Sequence, residues 1–345
     1  MKKERKGFER LRGVAAMALM GVGAFMGGSA RASSKTMAFD VTRGAVWSTV
    51  TNSDSLFSGT VRTTTNGLKL AKTGTGSSST APDAFGIDDA SISGHNDAFD
   101  NALNLVVGGK AFVNPDTTVD LTGDTVTSDK VTNIIPHIDA QVTYWFSPTR
   151  PVVRAVYALT NTSGADITTD VLVAGNYGSD DSTTVEATDS SDTTIEKADK
   201  WFITSDTAAS DPIILTTRYG TGAGVVPTNA LTPGGGEDDY GFRYHVTVPA
   251  NSTIRVMVFH EIANSATAGI VTTLTSAAAD YDSLATLQAA GLLTGLSATE
   301  KAEIVNYVPK ADARSGDSGG GGALGGIALA GLGLAALRRR QREMK

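Results

Sequence analysis

No cysteine occurs anywhere in the 345 residues. That excludes disulfides, thiolate metal sites and thiol nucleophiles. It does not place the chain in a reducing compartment, because an oxidising one permits disulfides without requiring them. Aromatic residues are also scarce, at 6%, so rings to stack against sugars are few. Trp47, Tyr144, Trp145, Tyr177, Trp201, Tyr240 and Tyr244 supply them. Histidine is limited to His95, His137, His245 and His260. No H-E-x-x-H, no P-loop, and no G-x-G-x-x-G following a strand is present; nor does any G-x-S-x-G sit in a strand–turn–helix setting. These absences remove the common zinc-protease, nucleotide-binding and serine-hydrolase signatures.

Basic charge is scarce in the middle of the chain. Residues 1–32 carry seven Lys/Arg against two Asp/Glu, and residues 318–345 carry five against one. Residues 33–317 are left with 17 basic and 33 acidic residues, a net charge of −16. A body this negative repels phosphate backbones, so nucleic acid is not an expected partner, whereas cations are attracted. Its length suffices for a full core without covalent staples.

The two basic ends read as addresses. Lys2, Lys3, Arg5, Lys6, Arg10 and Arg12 precede an apolar run over 13–29, and Ala30-Arg31-Ala32 follows. That order is a signal peptide over 1–32, with signal peptidase cutting between Ala32 and Ser33.

Thr, Ser, Gly, Asp and Val dominate from Ser33 onward. Alternating apolar and polar residues predict strands at 41–51, 59–64, 117–127, 138–146, 152–160 and 167–174. Further strands are predicted at 201–204, 213–219, 240–249 and 253–262. Two apolar runs across Gly108-Gly109 read as a hairpin. The runs from 138 to 174 read as one antiparallel meander. Residues 71–81, 175–192 and 220–237 read as loops. The expected fold is all-β over 33–276: a large antiparallel β-sandwich, or two stacked large sheets. A helical hairpin is expected over 277–309, with Ser297 and Glu300 forming a capping box and Pro309 ending the second helix.

After a polar Gly/Ser linker (310–322) come residues 323–337, all apolar, and then a basic stop. With Gly319, Gly320, Gly321 and Gly322 the stretch reaches 19 residues, at the short end for a transmembrane helix. Arg338, Arg339 and Arg340 on the cytoplasmic side agree with a leader that sends Ser33 onward outside. This tail resembles the GlyGly-CTERM family of bacterial C-terminal sorting signals, in which a glycine run, a short membrane segment and terminal arginines follow one another. The resemblance covers only these residues. It implies cleavage near the glycines by a rhomboid-like sorting protease in a Gram-negative host. It also implies passage through the type II secretion machinery, and a cell-surface or extracellular destination after transient anchoring in the inner membrane through 323–337.

Within the body, the acids gather in two stretches expected to be loops, 83–100 and 176–192. Asp88, Asp89, Asp180 and Asp181 are the candidate calcium ligands, since Ca²⁺ takes several oxygen ligands, although EF-hand spacing is absent. No other cofactor is expected. His95 lies among the acids of the first stretch, whereas His260 and Glu261 are adjacent in a predicted strand and face opposite ways. No catalytic constellation is visible. The expected function is a secreted, surface-sorted binding or structural module. The alternative is a carbohydrate-active enzyme or sugar-binding domain using the loop carboxylates, which requires the two loops to meet in one cleft.

Overall fold

The computed structural model describes residues 30–33, 37–41, 45–50, 62–64, 67–69, 85–99, 102–114, 118–122, 124–179, 182–231 and 238–308. The expected signal helix, the linker and the transmembrane sorting segment lie outside them. Among the described residues no helix is long and apolar enough to cross a membrane.

The first strands are β1 (Ala30–Ser33), β2 (Met37–Val41), β3 (Ala45–Val50), β4 (Arg62–Thr64) and β5 (Gly67–Lys69). Next come β6 (Gly86–Ile92), β7 (Asn104–Val107), β8 (Lys110–Ala111), β9 (Thr118–Thr122), β10 (Thr125–Thr127) and β11 (Val131–Ile135). The long central strands are β12 (Ile138–Phe146), β13 (Val152–Asn161) and β14 (Ile167–Asn176). They are followed by β15 (Thr183–Thr188), β16 (Trp201–Asp206), β17 (Ile213–Thr217), β18 (Pro227–Leu231), β19 (Asp239–Val248) and β20 (Thr253–Ala263). Three short helices follow: α1 (Ile270–Ala277), α2 (Leu284–Ala289) and α3 (Ala298–Ala302), with a 3-10 turn at Ala278–Tyr281.

A ten-stranded sheet runs β1-β9-β10-β12-β13-β20-β17-β16-β15, with β11 also on β12. A five-stranded sheet runs β18-β19-β14-β7-β8. The triplet β2-β3-β6 and the pair β4-β5 complete the set. All these pairings are antiparallel.

The expected sandwich is present, and strand alternation explains its layering. In β20, Ile254, Val256 and Val258 enter the core shared with the five-stranded sheet, whereas Met257 and Phe259 enter a second core. In β12, Tyr144 and Phe146 belong to the first core and Trp145 to the second. From the five-stranded sheet, Val171, Val173, Phe242 and Tyr244 meet the first set. Leu274, Tyr281, Leu287, Leu292 and Tyr307 close the second core. The large sheet is thus buried on both faces at its centre, under a sheet on one side and a helical cap on the other. Each such side chain contributes about 1.5–3 kcal/mol by leaving water.

Three sequence expectations change. The meander from 138 to 174 does not hold. β12 pairs with β13, but β14 crosses to the five-stranded sheet and pairs with β19 and β7. The open edge of β13 is taken instead by β20. Three stretches expected as loops contain strands, β6, β15 and β18. The expected two-helix hairpin is instead a run of short helices joined by turns. Gly291 and Gly295 adopt positive φ (75° and 82°), ending the first helical stretch. The Ser297–Glu300 capping box forms as expected, but α3 stops at Ala302. Residues 303–306 then run along the edge of β20: Arg255 N–H donates to Glu303 O, Val305 N–H donates to Arg255 O, and the Asn306 amide brackets Met257.

Candidate functional site

The two acidic stretches meet. At the end of β6, a tight turn places Ser93 and Gly94 at positive φ (52° and 88°), and Ile92 and His95 exchange both backbone hydrogen bonds. The chain then passes Asp97, at φ 71°, and Ala98 N–H donates to Ala90 O. On the other side β14 ends at Asn176, and Tyr177 bridges to Phe99. Gly178 N–H donates to Ala98 O at 3.1 Å. A Cβ on Gly178 would collide with the Asp97 carbonyl oxygen, so only glycine permits this approach.

A third segment completes the site, the turn from β16 to β17. The Asp206 carboxylate accepts from Ser210 N–H at 3.0 and 3.1 Å and from Ser210 Oγ at 2.7 Å, which shapes the turn. His95 Nδ1 lies 3.0 Å from Ser210 O and 3.1 Å from Ser265 Oγ. A carbonyl only accepts, so His95 carries its proton on Nδ1 and staples the first loop to this turn.

Between these segments lies a cleft of about 190 Å³, open to solvent. Asp97, Ser179, Thr204, Ser205, Asp206 and Asp211 line it, with Tyr177, Pro212 and Ile214 among the residues beneath. Ser179 and Thr183 are joined through their hydroxyls. Thr204 is 1% exposed, and its hydroxyl neighbours that of Tyr177.

A buried polar chain leads inward from the cleft. Tyr177 Oη is 2.7 Å from Thr216 Oγ1, which is 2.9 Å from His260 Nδ1, and His260 Nε2 is 2.8 Å from Tyr240 Oη. Leu103 N–H donates to that same Tyr240 oxygen at 3.0 Å. With one lone pair so occupied, Tyr240 gives its proton to Nε2, and His260 holds its own on Nδ1 toward Thr216. Burial lowers the His260 pKa from 6.5 to about 3 and pushes the Tyr177 phenol well up. Neither is poised for acid–base exchange near neutral pH.

Other buried charges serve packing. The Arg154 guanidinium lies 4.8 Å from the Trp145 ring centroid and donates to Leu292 O and Thr294 O. Burial draws its pKa down to about 10, opposed by Glu300. Glu261, on the opposite face of β20 from His260 as expected, pairs with Arg150 at 2.7 Å and accepts from Tyr281 Oη at 2.9 Å.

The predicted calcium ligands fare differently. Asp88 and Asp89 stand in β6 instead of a loop, and Asp89 Oδ1 accepts from Ala90 N–H and Phe99 N–H. Asp180 and Asp181 lie outside the described residues, as do Gly319 to Gly322 and Arg338 to Arg340. Among the described residues no group of three or more His, Asp or Glu is disposed to hold a metal. Ala30, Ala32 and Ser33, read as the signal-peptidase site, fall in β1 at the edge of the large sheet. Sequence reasoning singled out neither Thr204 nor the acids Asp206 and Asp211. They sit at the end of one strand and in a short turn, with no unusual local composition.

In sequence, the chain matches no protein-family profile and no curated protein. Among solved structures it is similar to a protein described as a kojibiose phosphorylase from the human microbiome, with 9% identity and a TM-score of 0.38 over 74% of this chain and 34% of that one. A galactose mutarotase-like protein from Lactobacillus casei shows 9% identity and a TM-score of 0.35, over 66% of this chain and all of that one. The heparan sulfate lyase HepC from Pedobacter heparinus shows 10% identity and a TM-score of 0.35, over 67% of this chain and 36% of that one. The chain spans about a third of the phosphorylase and of the lyase. Likenesses this distant carry no functional argument. The class that the fold itself defines is an antiparallel β-sandwich with a helical cap.

Proposed function

We propose that this chain is an exported β-sandwich module acting at the outer surface of a Gram-negative cell, and that it binds through the cleft between the 97–99, 177–179 and 204–212 segments. The meeting of the two acidic stretches in that cleft carries the reading. Around it the buried imidazole and guanidinium groups are engaged in holding layers together, which suits a rigid scaffold presenting a small polar site. The ends supply the destination. Signal peptidase would cut after Ala32, leaving only Ser33 of β1, and a rhomboid-like protease would cut near Gly319–Gly322 and so remove Arg338, Arg339 and Arg340. Type II secretion would then deliver the body. Fractionation with terminal mass spectrometry tests this half: a surface or extracellular form beginning at Ser33 and lacking the arginines is expected. An intact C-terminus held in the inner membrane contradicts it.

A second reading is a carbohydrate-active enzyme or sugar-binding domain using the loop carboxylates; in the cleft these are Asp97 of the first stretch, with Asp206 and Asp211 from the third segment. Size weighs against it, because small-molecule pockets usually span about 300–1,000 Å³, whereas the enclosed part of this cleft has room for about one water. Incubation with surface polysaccharide decides between them. The module retains the polymer without generating new reducing ends, whereas the enzyme generates them and loses that ability in Asp97→Asn.

A further inference from the structure

We infer that processing opens a strand-acceptor site along β9, and that the partner it fits is an extended peptide with a basic residue between small ones. The inference rests on the exported reading, in which 1–32 is a removable leader. β1 is the outermost strand of the ten-stranded sheet. It pairs with β9 in unbroken antiparallel register: Ala30 opposite Leu121, Arg31 opposite Asp120, Ala32 opposite Val119 and Ser33 opposite Thr118. A cut after Ala32 removes three of these four pairs. The backbone groups that β9 turns toward Ala30, Arg31 and Ala32 are then left at a sheet edge.

The remaining ends of the two larger sheets are closed to strand addition. β15 shifts register between Val185 and Ala187, leaving Glu186 at a bulge. β18 begins with Pro227, which has no N–H to offer, and shifts register between Pro227 and Asn229. β8 is two residues long. Bulges, proline and shortness are the usual guards of an exposed edge. β9 has none of them: it runs five residues, Thr-Val-Asp-Leu-Thr, with an unbroken register on both sides. Its one guard is the charge of Asp120, and that charge selects the partner. A second copy pairing β9 against β9 in full register sets Asp120 opposite its own equivalent, and like charges directly opposite are destabilising. A strand with Lys or Arg at the centre does the reverse, and the leader places Arg31 there. Small flanking residues repeat Ala30 and Ala32. The body's net charge of −16 adds a long-range pull on a basic peptide. In strand addition the main-chain hydrogen bonds supply affinity and the alternate side chains supply choice.

Amide hydrogen exchange tests this, comparing the full chain made without membranes, leader intact, with the protein purified after export. The N-terminus of each is read by mass spectrometry. The amides of 118–122 are expected to exchange at least about tenfold faster in the exported form, while those of β13 and β20 stay equal. The probe is a synthetic peptide of residues 28–33, Gly-Ser-Ala-Arg-Ala-Ser. At concentrations on the order of millimolar it should restore protection at 118–122, and the same peptide carrying Arg31→Glu should bind at least about tenfold more weakly. Asp120→Lys in the exported protein should reverse that preference, with the melting temperature close to wild type. Equal protection of 118–122 in the two forms, with Ser33 confirmed as the first residue, overturns the acceptor and leaves the leader reading standing. Equal binding of the two peptides overturns the basic partner. Protection that appears with protein concentration alone, as a dimer forms, overturns it in favour of a second copy. An exported protein that still begins at Met1 sinks the leader reading, and the acceptor with it.

Discussion

His260 enters the core neutral, held by Tyr240 on one nitrogen and Thr216 on the other. Its folded pKa, lowered by burial from 6.5 to about 3, sets the sign of a pH effect. Below 6.5 the unfolded chain binds a proton that the folded chain refuses, so the stability contribution is present above 6.5 and is lost as pH falls toward 3. Urea denaturation across this range should show wild type losing its advantage over His260→Gln by about 1.4 kcal/mol per pH unit. Parallel curves for the two proteins would contradict the assignment. Asn306 gives a pH-independent counterpart. Its side chain accepts from Met257 N–H at 2.9 Å and donates to Met257 O and Arg218 O at 2.7 and 2.8 Å. Asn306→Ala leaves the Met257 N–H and C=O unpaired, while Arg218 O keeps the Tyr244 hydroxyl, and should cost about 2 kcal/mol or more in urea denaturation. Residues of this kind are poorly legible in sequence. Arg154, within an alternating run, reads as solvent-facing, yet it is 2% exposed because the helical cap lies over that face of the sheet. The opposite orientations of His260 and Glu261 were legible, because strand alternation alone fixes them.

Among the elements, the long strands were legible where an apolar–polar period runs uninterrupted, as in β12, β19 and β20. The Gly108-Gly109 hairpin was too, since both glycines sit at positive φ (54° and 79°) between β7 and β8. What could not be read was partner choice. β13 is buried on both faces and has two sheet neighbours, β12 and β20, although β20 lies about a hundred residues further along the chain. Local pattern carries no information about such distant pairing. The joint between the acidic stretches is likewise a long-range contact, and it depends on Gly178. Gly178→Ala forces a Cβ against the Asp97 backbone, so it should destabilise the sandwich by about 1–3 kcal/mol. It should also speed amide exchange at Ala98 and Gly178 ahead of the rest. Unchanged exchange at those amides would show that the two segments are not joined there.

For the whole molecule, the sequence conveyed class and charge better than site. An acidic, cysteine-free, strand-rich body between two basic ends is legible from composition; a cleft assembled from three separated segments is not. The central claim is that this cleft is the binding face. Carbodiimide footprinting of carboxylates, with and without cell-envelope polysaccharide and read by mass spectrometry, tests it most directly. Asp97 and Asp211 are predicted to be protected together on adding the polymer, whereas Asp170, exposed on the five-stranded sheet at 43%, keeps its labelling. Protection at Asp170 with Asp97 and Asp211 unchanged would place the binding face elsewhere and contradict the account.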